Sequence, residues 1–250
     1  RTVDCDPAAI AKVSGQAGVL ATTLLSQMGV TSLEKLQASQ QMINMLRAAT
    51  GIAKAVAVAE LVRELVGEGR RVVLYGWHRA VYDIWMESFD AVIDHRRIRY
   101  AMITGSETAA TKTANVAAFV APGSDIDVLI VSLRAGAGMD GLQHVCSTVV
   151  FGELDWSPKV HDQCTTRLDR DGQKESVQAF FCAAKVGIDP IMVDVCGAKR
   201  RQSGPMMDPD QFFDAELLEG GAPEDLTKRI AESVLAGDLL REREVDDVGA

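Results

Sequence analysis

The sequence predicts an α/β fold, an open parallel sheet with helices on both faces, over residues 70–201. Three observations predict it. Short apolar runs alternate with segments of helical period, which suits strands buried on both faces. Glycine or proline punctuates most changes of period. Most connections between runs are long enough for the helical crossovers that parallel strands need. Residues 1–69 form a helical lead-in, and residues 202–250 an acidic helical extension.

In the lead-in, residues 8–28 read as a helix, with Asp6-Pro7 as N-cap and first-turn proline and Gly29 as its end. A second helix runs from Ser32 to about Leu46. Thr50-Gly51 is expected to break it, and a third continues to Val66. Lys54 and Arg63, on the third, are expected to be solvated.

The period then changes. Val72–Tyr75 is the first strand and 77–89 a helix. Ile98–Ile103 is the second strand, with Thr104-Gly105-Ser106 after it and a helix over 107–120. Asp127–Val131 is the third strand, followed by a Gly-rich loop from Arg134 to Gly141. Ser147–Phe151 is the fourth strand and 157–168 a helix. A fifth strand over 176–183 and a helix over 188–201 complete the alternation. In such sheets ligands gather at the carboxyl ends of the strands. Thr104–Ser106, the 132–141 loop and the loop around Arg167 are all candidates for that edge. Beyond Gln202 the sequence shows Gly-Pro, Asp-Pro and Gly-Gly breaks, then a helix over 223–236.

Charge is uneven. Residues 1–201 hold 22 basic and 22 acidic side chains; the remainder hold 4 and 13, so the whole net charge of −9 lies in the extension. The neutral body is compatible with a polyanionic partner, although no dense basic run announces one. The nearest to it is His95-Arg96-Arg97 with Arg99. The five cysteines form no Cys-x-x-Cys pair, which argues against a zinc site or disulfide framework and favours reduced thiols in the cytoplasm. No membrane span is expected.

The chemistry concentrates in Gln163-Cys-Thr-Thr-Arg167-Leu-Asp-Arg170-Asp-Gly172-Gln173. Arginine stays charged, and its planar fork matches phosphate oxygens two at a time. Two forks three residues apart can neutralise a phosphoryl group in transfer. Gly136-x-Gly138-x-x-Gly141 matches the dinucleotide fingerprint, but only Leu142–Cys146 separate it from the next strand, too few for the required helix. Its glycines still permit close backbone approach to a ligand, with Asp140 and Arg134 as partners for a ribose hydroxyl and a phosphate.

In order, Val72–His78, Thr104–Ser106, Val128–Gly136, Phe151–Pro158 and Gln163–Gln173 together resemble the second motor lobe of Swi/Snf-like DNA-dependent ATPases, in helicase superfamily two. Thr50–Lys54 is similar to the lead-in of that lobe. The resemblance implies a RecA-like fold, with Arg167 and Arg170 as fingers reaching ATP held by a first lobe. It implies that Gln163 and Gln173 frame them and that Gly138 and Asp140 lie near the nucleotide. It implies that Thr104, Gly105, Ser106, Ser132 and Arg134 touch the backbone of double-stranded DNA. Asp169 stands where the family usually has His, and the glycine loop is one residue shorter than the commonest version. With Asp171, Asp169 is expected to hold the fingers in the absence of ATP.

The sequence has no Gly-x-x-x-x-Gly-Lys-Ser/Thr and no Asp-Glu-x-His/Gln. ATP and magnesium are therefore expected to be held mainly by the first lobe, and this piece alone is expected to be monomeric and inactive. Two alternatives stand beside a DNA translocase: an RNA helicase lobe, and a degenerate module that binds nucleic acid or protein without catalysis.

Overall fold

The computed structural model describes residues 1–26, 29–93, 96–135, 139–202 and 224–242. Gly136 and Gly138 of the glycine loop, His95 and most of the acidic extension lie outside them. So do the side chains of Lys199, Arg200 and Arg201.

The chain divides into two compact units. The first is built from residues 55–155 and 159–182, with Arg1; the second from residues 2–54, 156–158 and 183 onward.

The first unit holds a five-stranded, fully parallel sheet. Its strands are β2 (Val72–Gly76), β3 (Tyr100–Ile103), β4 (Val128–Ser132), β5 (Thr148–Phe151) and β6 (Gln178–Phe181), in the order β3-β4-β2-β5-β6. The central strands are wholly apolar over Val72–Tyr75, Val128–Val131 and Val149–Phe151, and every one of those side chains is buried. Helices α3 (Arg79–Asp90), α4 (Ala109–Val120) and α5 (Pro158–Thr165) make the crossovers. The step from β2 to β3 runs one way across the sheet, and those from β3 to β4 and β5 to β6 run the other. Right-handed crossovers therefore put α3 on one face and α4 and α5 on the opposite face. The open parallel sheet is as expected.

Gly76 and Gly152 end the two central strands against Trp85. A Cβ on either would lie 2.7 or 2.4 Å from the indole, so a side chain there would displace the largest residue of the core.

The second unit contains a two-stranded parallel ribbon, β1 (Thr2–Val3) with β7 (Ala183–Ala184), which the sequence did not suggest. Its helices are α1 (Ala8–Leu25), α6 (Asp189–Gln202) and α7 (Glu224–Leu235), with α1 packed on α7. Asp6 accepts the Ala8 N–H at 2.9 Å, opening α1 as expected. By length and composition α1 is apolar enough to span a membrane, contrary to expectation, and it buries Ile10, Ala17 and Ala21 within the unit.

The predicted break at Thr50-Gly51 is absent. Helix α2 is continuous from Ser32 to Gly67, its residues up to Lys54 in the second unit and the rest in the first. A helical glycine costs only about 1 kcal/mol. Here Thr50 is buried and its hydroxyl accepts the Ile188 N–H at 3.1 Å, so tertiary contacts outweigh local preference. Thr31 and Glu34 form a reciprocal cap at the start of α2.

Lys54 and Arg63 are not solvated. Lys54 is buried and its Nζ lies 2.6 Å from Asp189 Oδ2; Asp189 also accepts the Ala184 N–H. Arg63 is half-buried and donates to the carbonyls of Ser88 and Ala91. Both charges sit on a helix whose neighbours on several sides are protein, which amphipathic counting along one helix could not reveal.

Candidate functional site

All the described candidate residues lie in the first unit. They form two groups, one at the carboxyl edge of the sheet and one running down a connection beside it.

The edge group begins at β2. The strand exits into Trp77 and His78, whose backbone N–H groups both donate to Glu153 Oε2, at 2.7 and 2.8 Å. His78 Nδ1 lies 2.5 Å from the other oxygen, Oε1. Burial pushes the Glu153 carboxyl up, but the His78 hydrogen bond and charge and the two backbone donors outweigh it. Its pKa is held below the usual value.

Arg134, two residues beyond β4, places its guanidinium 5.7 Å from the Trp77 ring centroid. Its Nη2 is 3.6 Å from Asp155 Oδ2, an almost fully buried carboxylate. Asp155 is fixed in turn by its own N–H, which donates to the buried His161 Nε2 at 3.0 Å.

At the end of β3, the Glu107 carboxylate accepts from both the backbone N–H and the hydroxyl of Thr104, at 2.5 and 2.8 Å. Gly105 is exposed, and the Ser106 hydroxyl accepts from Arg79 Nη1 at 3.2 Å. Ser132, half-buried, ends β4. Thr104, Gly105, Ser106, Ser132 and Arg134 therefore share the exits of two neighbouring strands.

The arginine loop follows α5 and leads toward the start of β6. It runs beside the chain between β4 and β5, in step with it. Arg167 Nη2 donates to the Ala135 carbonyl at 3.3 Å, Arg170 Nη1 reaches Asp140 Oδ1 at 3.4 Å, and Gln173 Nε2 donates to the Cys146 carbonyl at 2.9 Å. Gln173 also bonds the Leu168 carbonyl and the N–H groups of Lys174 and Glu175, so both ends of its amide are used in shaping the loop. Gly172 turns the chain at φ +93°, where a Cβ would lie 2.5 Å from the His144 ring. Gln163 is exposed on α5.

The arginine loop is anchored to the sheet at Cys164. Its carbonyl accepts from the Tyr75 hydroxyl and its thiol faces the Leu133 carbonyl, and burial pushes that thiol up to about 12.

Asp169 and Asp171 were expected to hold the arginines. Among the described residues neither pairs with them. Asp140 partners Arg170, and the Thr166 carbonyl accepts from its Nε at 2.9 Å. The reason is direction: successive residues of a tight turn point apart, while the neighbouring segment faces the guanidinium. Gly138 lies outside the described residues. Of the basic cluster, Arg96 and Arg99 pair with Asp127 and Asp125, so part of its charge is neutralised locally.

Sequence relatives point in one direction. The ISWI chromatin-remodeling complex ATPase CHR17 of Arabidopsis thaliana is 31% identical over 134 residues, 53% of this chain and 12% of that protein. The chromatin-remodeling ATPase INO80 of Emericella nidulans is 32% identical over 137 residues, 55% of this chain and 8% of that protein. The nuclear protein STH1/NPS1 of Saccharomyces cerevisiae is 28% identical over 179 residues, 72% of this chain and 13% of that protein.

The homologues of this chain are Swi/Snf-family ATPases.

The chain spans only about a tenth of the length of these Swi/Snf relatives. No family model matches it. In fold it is similar to the C-terminal part of the Fun30 ATPase domain, with a TM-score of 0.61 and 12% identity over 95% of this chain and 96% of that one. It is also similar to the Sulfolobus solfataricus SWI2/SNF2 ATPase core, with a TM-score of 0.65 and 12% identity over 92% of this chain and 47% of that one. At that identity the likeness concerns the fold alone.

Reading the Swi/Snf-like motifs from sequence located the arginines and the strand exits. It missed the part played by Glu153 and Asp155. The available signal was two carboxylates two residues apart just beyond the exit of a buried strand.

Proposed function

We propose that this chain is the second motor lobe of an ATP-driven double-stranded DNA translocase, supplying arginine fingers to a nucleotide held by a first lobe. The observation that carries the reading is the state of Arg170. Its guanidinium meets Asp140 at 3.4 Å in a pair that is largely exposed, 45% and 89% for the two side chains. Such a pair contributes about 0–1 kcal/mol. A hydrogen bond to a charged group contributes about 1.5–3 kcal/mol, and a phosphate accepts two from one guanidinium, one on each of two oxygens. An arriving γ-phosphate therefore displaces Asp140. Arg167, with one bond to a carbonyl, is as easily redirected.

On closure of the two lobes Arg167 and Arg170 meet charge developing on the γ-phosphate. Gln163 lies one turn before Arg167, open to the same side of the nucleotide. Gln173 acts through the loop that it shapes. Thr104, Gly105, Ser106, Ser132 and Arg134 contact DNA phosphates, which suits a motor indifferent to sequence. Magnesium is assigned to the first lobe, because this sequence has no Gly-x-x-x-x-Gly-Lys-Ser/Thr and no Asp-Glu-x-His/Gln.

Relatives named for chromatin do not support a cytoplasmic placement; a compartment that holds DNA fits this reading. The experiment that tests the DNA assignment is stimulation of ATP hydrolysis by the full-length protein. Duplex DNA is expected to stimulate and RNA of equal length not to. Stimulation by RNA alone favours the helicase alternative, and stimulation by neither favours the non-catalytic module.

A further inference from the structure

Glu153 has no place in the mechanism above, yet it is a heavily engaged carboxylate at the sheet edge. It is almost fully buried and makes three hydrogen bonds, all to residues 77 and 78 at the exit of β2. A buried carboxylate held by three donors is rigid, because losing any one leaves charge unsatisfied away from water. What it holds is a short loop carrying two side chains that meet the DNA-contact residues. The Trp77 ring lies under the Arg134 guanidinium, and Arg79 donates to the Ser106 hydroxyl. Because β4 lies between β2 and β3, this loop touches both neighbouring strand exits.

We infer that Glu153 is a positioning residue for DNA binding. It locks Trp77, and the Trp77 ring with Asp155 aims Arg134 at a phosphate of the DNA backbone. The inference rests on the DNA-contact role proposed for Arg134. A free arginine side chain samples many rotamers, and ordering one on binding costs conformational entropy. An aromatic face on one side and a buried carboxylate on the other remove much of that cost beforehand. The arrangement differs from a merely structural clamp in one respect: its loss removes one phosphate contact and leaves the others in place.

The test uses the full-length protein without nucleotide and a 30-base-pair DNA duplex as probe, with affinity measured over a salt series. Each phosphate contact contributes about 0.9 to the slope of log affinity against log salt. Arg134→Gln is expected to lower the slope by about 0.9. Trp77→Ala and Glu153→Ala are each expected to give the same single loss, and either combined with Arg134→Gln no further loss. Partial unfolding lowers the competent fraction at every salt concentration and leaves the slope alone, so it cannot imitate this result. Trp77 is 37% exposed, so Trp77→Ala keeps the test usable if Glu153→Ala folds poorly. Slopes unchanged by Trp77→Ala and Glu153→Ala, or losses that add to that of Arg134→Gln, overturn the inference while leaving the DNA role of Arg134 intact. A slope unchanged by Arg134→Gln overturns that role, and the inference with it.

Discussion

Replacing Lys54 with methionine is expected to cost about 3–5 kcal/mol of folding stability, the range for breaking a buried ion pair from one side. The structure puts the variant in that range for three reasons. The Nζ–Oδ2 distance is 2.6 Å, and the two side chains are 1% and 4% exposed, so water does not replace the lost partner. Asp189 keeps the Ala184 N–H as a donor, which leaves a carboxylate in protein with most of its charge uncompensated. Methionine fills nearly the volume of the lysine stem, so packing changes little and the loss is electrostatic. Asp189→Asn added to Lys54→Met should recover much of the cost, since the amide oxygen still accepts from Ala184 and no charge remains. Urea unfolding at pH 7 of the wild type, the two single variants and the double variant supplies the cycle. A cost below 1 kcal/mol for Lys54→Met, or no recovery in the double variant, refutes the reasoning.

Two further outcomes follow from the same geometry. Gly172→Ala should cost about 1–2 kcal/mol, because the clashing His144 ring is exposed and can swing aside while the left-handed φ of +93° stays unfavourable; a neutral thermal shift would contradict this. Glu153 has a depressed pKa in the folded protein, so its stabilisation is present above the ordinary value of 4.5 and is lost as pH falls through the folded value. The stability gap between wild type and Glu153→Gln should therefore narrow as pH drops below about 4.5, and a gap independent of pH down to acid unfolding would exclude the ionised clamp.

The strands of the sheet were legible because each is a short apolar run between breaks, and burial on both faces leaves no other use for such a run. Helices α3 to α6 were legible to within a few residues for the complementary reason. Thr50-Gly51 misled because the local cost of a helical glycine is small beside the contacts that Thr50 makes with residues distant in sequence. Lys54 misled for the same reason, since its partner lies 135 positions away. At the site, Arg167 and Arg170 stood out by type and spacing. Their partners did not, because the two segments meet through a crossover whose path is set by the sheet order. Asp140 and Asp169 are indistinguishable as counter-ions until that order is known. Glu153 was overlooked because its three partners lie at the exit of a neighbouring strand, 75 and 76 positions earlier in the chain.

The central claim is that Arg170 acts on a nucleotide that another lobe holds. The most direct measurement is the rate of ATP hydrolysis by the full-length protein at saturating duplex DNA, wild type against Arg170→Ala. An arginine finger contributes on the order of 10³–10⁵ in rate. A fall of that size, with duplex affinity unchanged, is the predicted result; turnover near the wild-type rate would contradict the account.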